Sequence, residues 1–240
     1  MAASFRSFVF KLRFDKQSIA GVSHEEQLTR VGRYLHALAG VHPLLANWYL
    51  QGASVHEALE HDVLSNPQAL SQAAAASHVV DYPNWLSLSV WNGIKDPLQG
   101  GLAFSYDAHD MDSISSMDFE DAGALVCSID NPRDVLVEML RLAVTIWKEI
   151  DWAVIAPGGY YLDKQVFPDR QTIGWIGFCP HTLNPVEFPE ADSLIDIPGR
   201  GTLVISCSPV MDEHNREHFK KVGAIDTKLV ELGLLPLFNG

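Results

Sequence analysis

The sequence has few of the features that mark secreted, disulfide-bonded or membrane proteins. It has three cysteines in 240 residues, and they are Cys127, Cys179 and Cys207. Their odd number and wide spacing exclude a disulfide framework and favour buried thiols in a reducing compartment. No apolar run reaches the ~18–20 residues that a membrane-spanning helix requires. The apolar N-terminal run contains Arg6, Lys11 and Arg13, which is unlike a signal peptide. We therefore expect a cytoplasmic protein that does not bind membranes.

Basic residues are missing from a long central stretch of the chain. No Lys or Arg occurs between Lys95 and Arg133, although this stretch contains eight acidic residues. The whole chain has a formal net charge of −13. This charge distribution repels nucleic acid and suits a basic partner. We therefore expect no nucleic-acid binding.

The motifs of common enzymes are also missing. The chain has no G-x-x-x-x-G-K-[ST], no G-x-G-x-x-G after a strand and no G-x-S-x-G. One short motif, H-x-x-E-H, is present at His214, Glu217 and His218. On a helix both histidines would face one zinc ion, and Glu217 would act as the general base. A metal-dependent hydrolase is therefore one alternative function. A small-ligand binding domain with Trp91 or Trp175 in an aromatic pocket is another.

Alternating apolar and polar residues predict strands that are buried on one side. Apolar residues occupy every second position from Phe8 to Phe14, and the same alternation recurs twice in the middle of the chain. Shorter apolar runs predict further strands. The predicted strands cover residues 8–14, 86–91, 102–106, 125–129, 152–156, 173–178 and 203–205.

Helix signals complete a single predicted domain. The capping boxes at Ser23–Glu26 and Ser54–Glu57 each predict a helix start. Asn131-Pro132 starts a long helix, which we predict to be buried and to span residues 132–149. A final helix carries apolar residues at a spacing of three and four from Phe219 to Leu232. We expect residues 1–240 to form one α+β domain with a mixed or largely antiparallel sheet.

The acidic segment between Asp107 and Asp121 is the strongest candidate for a binding surface. It lies between predicted strands, and no basic residue in this region neutralises it. A fixed acidic ridge would cover the basic active site of a nuclease and would raise the association rate and the specificity. The predicted contact residues are Asp107, Asp110, Asp112, Asp118, Glu120 and Asp121.

Several short motifs are spread over most of the chain. They are Trp48 with Gly52, Glu57-Ala58-Leu59, Trp91-Asn92-Gly93, Asp151-Trp152, Gly174-Trp175, Gly201-Thr202 and Leu234-Leu235-Pro236. Together they resemble the immunity protein 52 family of bacterial polymorphic toxin systems. The resemblance implies an α+β fold, no catalysis, no cofactor and a gene beside that of a cognate toxin. The implied toxin is a restriction-endonuclease-like nuclease delivered by a secretion system, which we expect to be type VI. The acidic contact residues are inferred from charge and are not carried over from the family, and the oligomeric state stays open.

Overall fold

The computed structural model describes residues 7–52, 54–66, 68–77, 82, 84–111 and 113–238. Within these ranges the chain forms α-helices and β-strands in alternating groups. The helices are α1 (Lys16–Ala20), α2 (His24–Ala39), α3 (Val55–Leu59), α4 (Gln68–Ala76), α5 (Gly123–Ser128), α6 (Pro132–Ile146), α7 (Gly158–Asp163) and α8 (Arg216–Glu231). The strands are β1 (Phe8–Phe14), β2 (Tyr49–Leu50), β3 (Leu86–Trp91), β4 (Ala103–Ala108), β5 (Ser116–Glu120), β6 (Ile150–Pro157), β7 (Ile176–Cys179), β8 (Ser193–Ile197) and β9 (Gly201–Ile205).

The named strands form one sheet in the order β2-β3-β4-β5-β1-β6-β7-β9-β8. Every neighbouring pair in this order is antiparallel. The N-terminal strand β1 lies at the centre, where it pairs with β5 on one side and β6 on the other. This arrangement confirms the predicted α+β fold and shows that the sheet is antiparallel. Among the described helices, none has the length and apolar character needed to cross a membrane.

One side of the sheet is covered by α2 and α6, and we call it the helix side. The fully buried Tyr34 of α2 packs its ring against Phe104 of β4, Phe119 of β5 and Trp147 after α6. Its hydroxyl donates a hydrogen bond of 3.1 Å to the carbonyl of Met139 in α6. Such aromatic pairs contribute about 0.5–1.5 kcal/mol beyond the burial of their area. Tyr34 therefore joins both helices to the sheet.

Helix α6 is fully buried along one side only, whereas the sequence predicted a buried helix, and it ends at Ile146 and not at residue 149. Trp147 turns into an extended conformation with φ −105° and ψ 107°. Arg200, in the turn between β8 and β9, donates hydrogen bonds to the carbonyls of Val144 (2.6 Å), Trp147 (3.0 Å) and Ile150 (3.1 Å). The bond to Val144 satisfies a carbonyl that the end of the helix leaves without an intrahelical donor, and the other two bonds tie Arg200 to the segment that leads into β6. The apolar residues after Ile146 lie in the segment that leads into β6.

The predicted strand at Leu125–Ile129 is wrong, because these residues lie mainly in the helix α5. A short apolar run has the same pattern in a buried strand and in a buried helix, so periodicity alone does not separate them. The chain reverses at Asp121, which has a left-handed φ of 59°. The turn directs Ala124 and Leu125 into the core, where both side chains are fully buried.

The opposite side of the sheet is covered over β6 and β7 by α7, α8 and the segment 165–175. Trp152 of β6 donates a hydrogen bond of 3.1 Å from its indole Nε1 to the carbonyl of Thr172. Asp226 of α8 accepts hydrogen bonds from the Thr172 hydroxyl (2.6 Å) and the Ile173 amide (2.9 Å). Strand β6 is therefore buried on both sides, in contrast to the outward side chains of β3, β4 and β5, which are partly or fully exposed.

Candidate functional site

The exposed outward side of β3, β4, β5 and β1 forms a polar surface that we call the open face. Successive side chains of a strand point to opposite sides of the sheet, so every second side chain of these strands points away from the helix side. The register places Asp107 opposite Ser116, and Ser105 opposite Asp118, across β4 and β5. The residues of the open face are Lys11, Ser87, Ser89, Ser105, Asp107, Ser116, Asp118 and Glu120.

Hydrogen bonds between side chains order one row of the open face. Gln51 donates from its Nε2 to the hydroxyl of Ser89 at 3.0 Å. The hydroxyls of Ser89 and Ser105 are 3.4 Å apart, and Ser105 donates to the Glu120 carboxylate at 3.1 Å. The row runs from the end of β2 across β3 and β4 to β5. A partner would therefore meet polar groups that are already oriented, which lowers the entropy cost of binding.

The structure brings together half of the acidic residues predicted to form the contact. The three on the open face are Asp107, Asp118 and Glu120. Asp110 is exposed in the connection after β4, where it accepts a hydrogen bond of 2.7 Å from the Asn84 side chain. Asp121 is exposed in the turn after β5. Asp112 lies outside the described residues. The segment is therefore largely a β-hairpin, and its second strand β5 was missed in the sequence because its apolar positions are few.

A basic residue from outside the acidic segment neutralises Asp118, although none within the segment does. Lys11, which is far away in sequence but adjacent in the sheet, places its Nζ 3.3 Å from Asp118 Oδ1. The carboxylate of Asp107 accepts a hydrogen bond from the indole Nε1 of Trp85. An ion pair as exposed as Lys11–Asp118 typically contributes about 0–1 kcal/mol. Three carboxylates outnumber Lys11, and Arg13 on the same side is balanced by Asp151, so the open face remains negatively charged.

Two concave spaces lie along the open face and share Ser116 in their linings. The larger has a volume of about 610 Å³ and is bounded on one side by Glu57 and His61, near α3. The smaller has a volume of about 250 Å³ and is bounded by Tyr161 of α7 and Phe238 near the C-terminus. The surface is thus a trough with a wall at each end. Sequence patterns did not predict either wall.

The alternative of a metal-dependent hydrolase does not fit the geometry. His214 precedes α8, whose N-cap is Asn215, so His214 and His218 do not lie one turn apart on a helix. The Nδ1 atom of His218 accepts a hydrogen bond of 2.9 Å from the amide of Asp212. Among the described residues, no group of three or more His, Cys, Asp or Glu side chains is arranged to hold a metal ion.

The alternative of an aromatic ligand pocket is wrong for Trp175. This side chain is fully buried, contacts the ring of Phe8, and donates from Nε1 to the carbonyl of Cys207 at 3.0 Å. Trp91 is half-buried beside a shallow space of about 260 Å³ that Gln51 and Val55 also line. Trp175 is therefore a core residue.

The described residues thus present an exposed polar trough on one side of the sheet. The sequence profile of the family described as Immunity protein 52 matches residues 21–237, which is nearly the whole chain. The chain belongs to this family, as its short motifs predicted. It is an immunity protein that binds a cognate toxin and is not an enzyme. No curated protein matches the chain.

Proposed function

We propose that this immunity protein binds a nuclease toxin in the cytoplasm, and that the open face forms the contact. The observation that carries the proposal is the placement of Asp107, Asp118 and Glu120 on adjacent strands of one exposed surface. A nuclease must attract phosphate groups, so its substrate-binding surface is basic. An acidic surface held by a sheet complements it with little loss of entropy. The three unpaired cysteines support a reducing compartment.

Charge reversal on the open face tests this proposal. We expect the triple change of Asp107, Asp118 and Glu120 to Lys to weaken binding to the toxin encoded by the adjacent gene by well over tenfold. A tenfold loss corresponds to about 1.4 kcal/mol. Titration calorimetry measures the affinity, and growth of cells that co-express the toxin reports protection. Circular dichroism checks that the variant still folds.

A matched control places the same charge changes at the opposite edge of the sheet. Glu190, Asp192 and Asp196 are exposed near β8, and we expect their change to Lys to leave affinity within about threefold of wild type, because rim charges far from a contact act weakly. Equal losses for both triple variants would mean that only net charge matters. Unchanged affinity in the open-face variant would refute this surface as the contact. Absence of any complex with the wild-type protein would refute the proposed partner.

A further inference from the structure

We propose that the contact has an apolar anchor: the smaller space of the trough accepts one large apolar side chain of the toxin, flanked by basic residues. This inference rests on the proposed function and adds the chemistry of the partner. We call the space the socket. Its volume is about 250 Å³, and Ile114, Trp152, Val154, Tyr161 and Phe238 supply apolar atoms to its lining. The rings of Tyr161 and Phe238 meet edge to face at 6.0 Å.

One exposed apolar side chain lines the socket, and two others are sequence neighbours of its lining residues. Ile114, in the connection between β4 and β5, is 42% exposed, and Leu237 is 46% exposed. Leu162, the neighbour of Tyr161 in α7, is 73% exposed. Exposed apolar side chains grouped around a concavity mark interaction sites more often than isolated ones do. Aromatic residues in such pockets are enriched among the residues that dominate binding energy.

The charges around the socket favour an apolar occupant over a cationic one. Two cations line it, Lys11 and Arg13. Arg13 forms a two-point ion pair with Asp151 at 2.9 and 3.0 Å and donates to the carbonyl of Leu237 at 2.8 Å. Lys11 pairs with Asp118. A third cation would meet two positive groups whose nearest carboxylates are already paired, whereas an apolar side chain would gain from the surrounding aromatic surface.

The adjoining open face determines what lies beside the anchor. The socket shares Ser116 with the larger space, whose lining includes Asp107 and Asp118. Burial raises the pKa of Tyr161 to about 12, and the neighbouring Asp118 carboxylate contributes to this shift. The apolar and acidic parts therefore adjoin at Ser116. Because the surface beside the socket is acidic, the occupant that fits best is a toxin segment with one large apolar residue next to basic residues. A second copy of this chain fits poorly, since it carries a net charge of −13.

Removing apolar surface without changing charge tests the socket. We expect Tyr161→Ala and Ile114→Asn each to weaken binding of the purified toxin domain from the adjacent gene by about tenfold or more. Val186→Asn is the matched control, because Val186 is 85% exposed and lies away from the socket, after β7. We expect it to bind like wild type. Ile114 is exposed in a connection between strands, so its substitution leaves the core intact even if Tyr161→Ala loosens α7.

Salt dependence separates the anchor from the charges and from a general loss of folding. We expect the defect of Ile114→Asn to be the same at low and high salt, while the defect of the open-face charge reversal shrinks as salt screens the charges. Wild-type affinity in both Tyr161→Ala and Ile114→Asn, with binding lost in the charge reversal, would overturn the socket and leave the proposed function standing. A wild-type dimer that Ile114→Asn dissociates in sedimentation would also overturn it, since a second copy would occupy the socket. If the wild-type protein formed no complex with the toxin, both proposals would be refuted.

Discussion

A buried carboxyl group should make the stability of this protein fall as pH rises from about 4 to about 7. Asp226 is 1% exposed, and burial raises its pKa to about 7 although the Thr172 hydroxyl and the Ile173 amide donate to it. Both of these donors are neutral groups. The perturbation is Asp226→Asn, which removes the titration and keeps a carbonyl oxygen that accepts from Ile173. The Thr172 hydroxyl can turn to accept from the new amide.

The sign of the effect follows from linkage between proton binding and folding. The pKa of Asp226 is about 7 in the folded state and 3.8 in the reference state. The folded protein therefore holds the proton more tightly, and the contribution to stability is full below pH ~4 and is lost as pH rises to about 7. Each pH unit within this window is worth about 1.4 kcal/mol. From pH 5 to pH 8 the wild-type protein should lose about 3 kcal/mol at this site.

Urea unfolding at several pH values, followed by tryptophan fluorescence, measures this contribution. We expect the unfolding free energy of Asp226→Asn minus that of wild type to rise by about 3 kcal/mol between pH 5 and pH 8. Other titrating groups are common to both proteins and cancel in the difference. Asp196→Asn, at an exposed site in β8, should show no such rise. The same pH dependence in Asp226→Asn and wild type would refute the assignment of a protonated, buried carboxyl to Asp226.

Two further predictions concern the helix side. Arg200→Met should lower the unfolding free energy by about 2–4 kcal/mol, because the carbonyls of Val144, Trp147 and Ile150 lose the charged guanidinium as a donor, and Arg200→Lys should recover only part of this in urea unfolding. Tyr34→Phe should cost about 0.5–1.5 kcal/mol, because the ring packing stays and the Met139 carbonyl keeps its bond within α6 but loses the Tyr34 hydroxyl as a second donor. An unchanged urea midpoint in Tyr34→Phe would show that this bond adds nothing to the packing.

The sequence predicted those elements whose signals are local. The alternation from Phe8 to Phe14 gave the strand β1, and the capping serines Ser23 and Ser54 accept hydrogen bonds from Glu26 and Glu57 amides as expected. Boundaries set by distant residues were not predictable in this way. The end of α6 depends on Arg200, which lies more than fifty residues further along the chain. Neutralisation of Asp118 by Lys11 likewise depends on strand pairing that local patterns do not reveal.

The position of the open face could nevertheless be predicted from two different strand patterns, strict alternation and a nearly continuous apolar run. The strand Leu86–Trp91 alternates strictly, and its outward side chains, Ser87, Ser89 and Trp91, are partly exposed. Strand β6, Ile150–Pro157, is apolar at nearly every position and is covered on both sides. A sheet strand that is buried on both sides needs apolar residues on both sides. The outward serines Ser87, Ser89 and Ser105 therefore indicated an exposed surface as clearly as the acids did. On the outward side α7 and α8 cover the other half of the sheet, which is why we propose this half as the toxin contact.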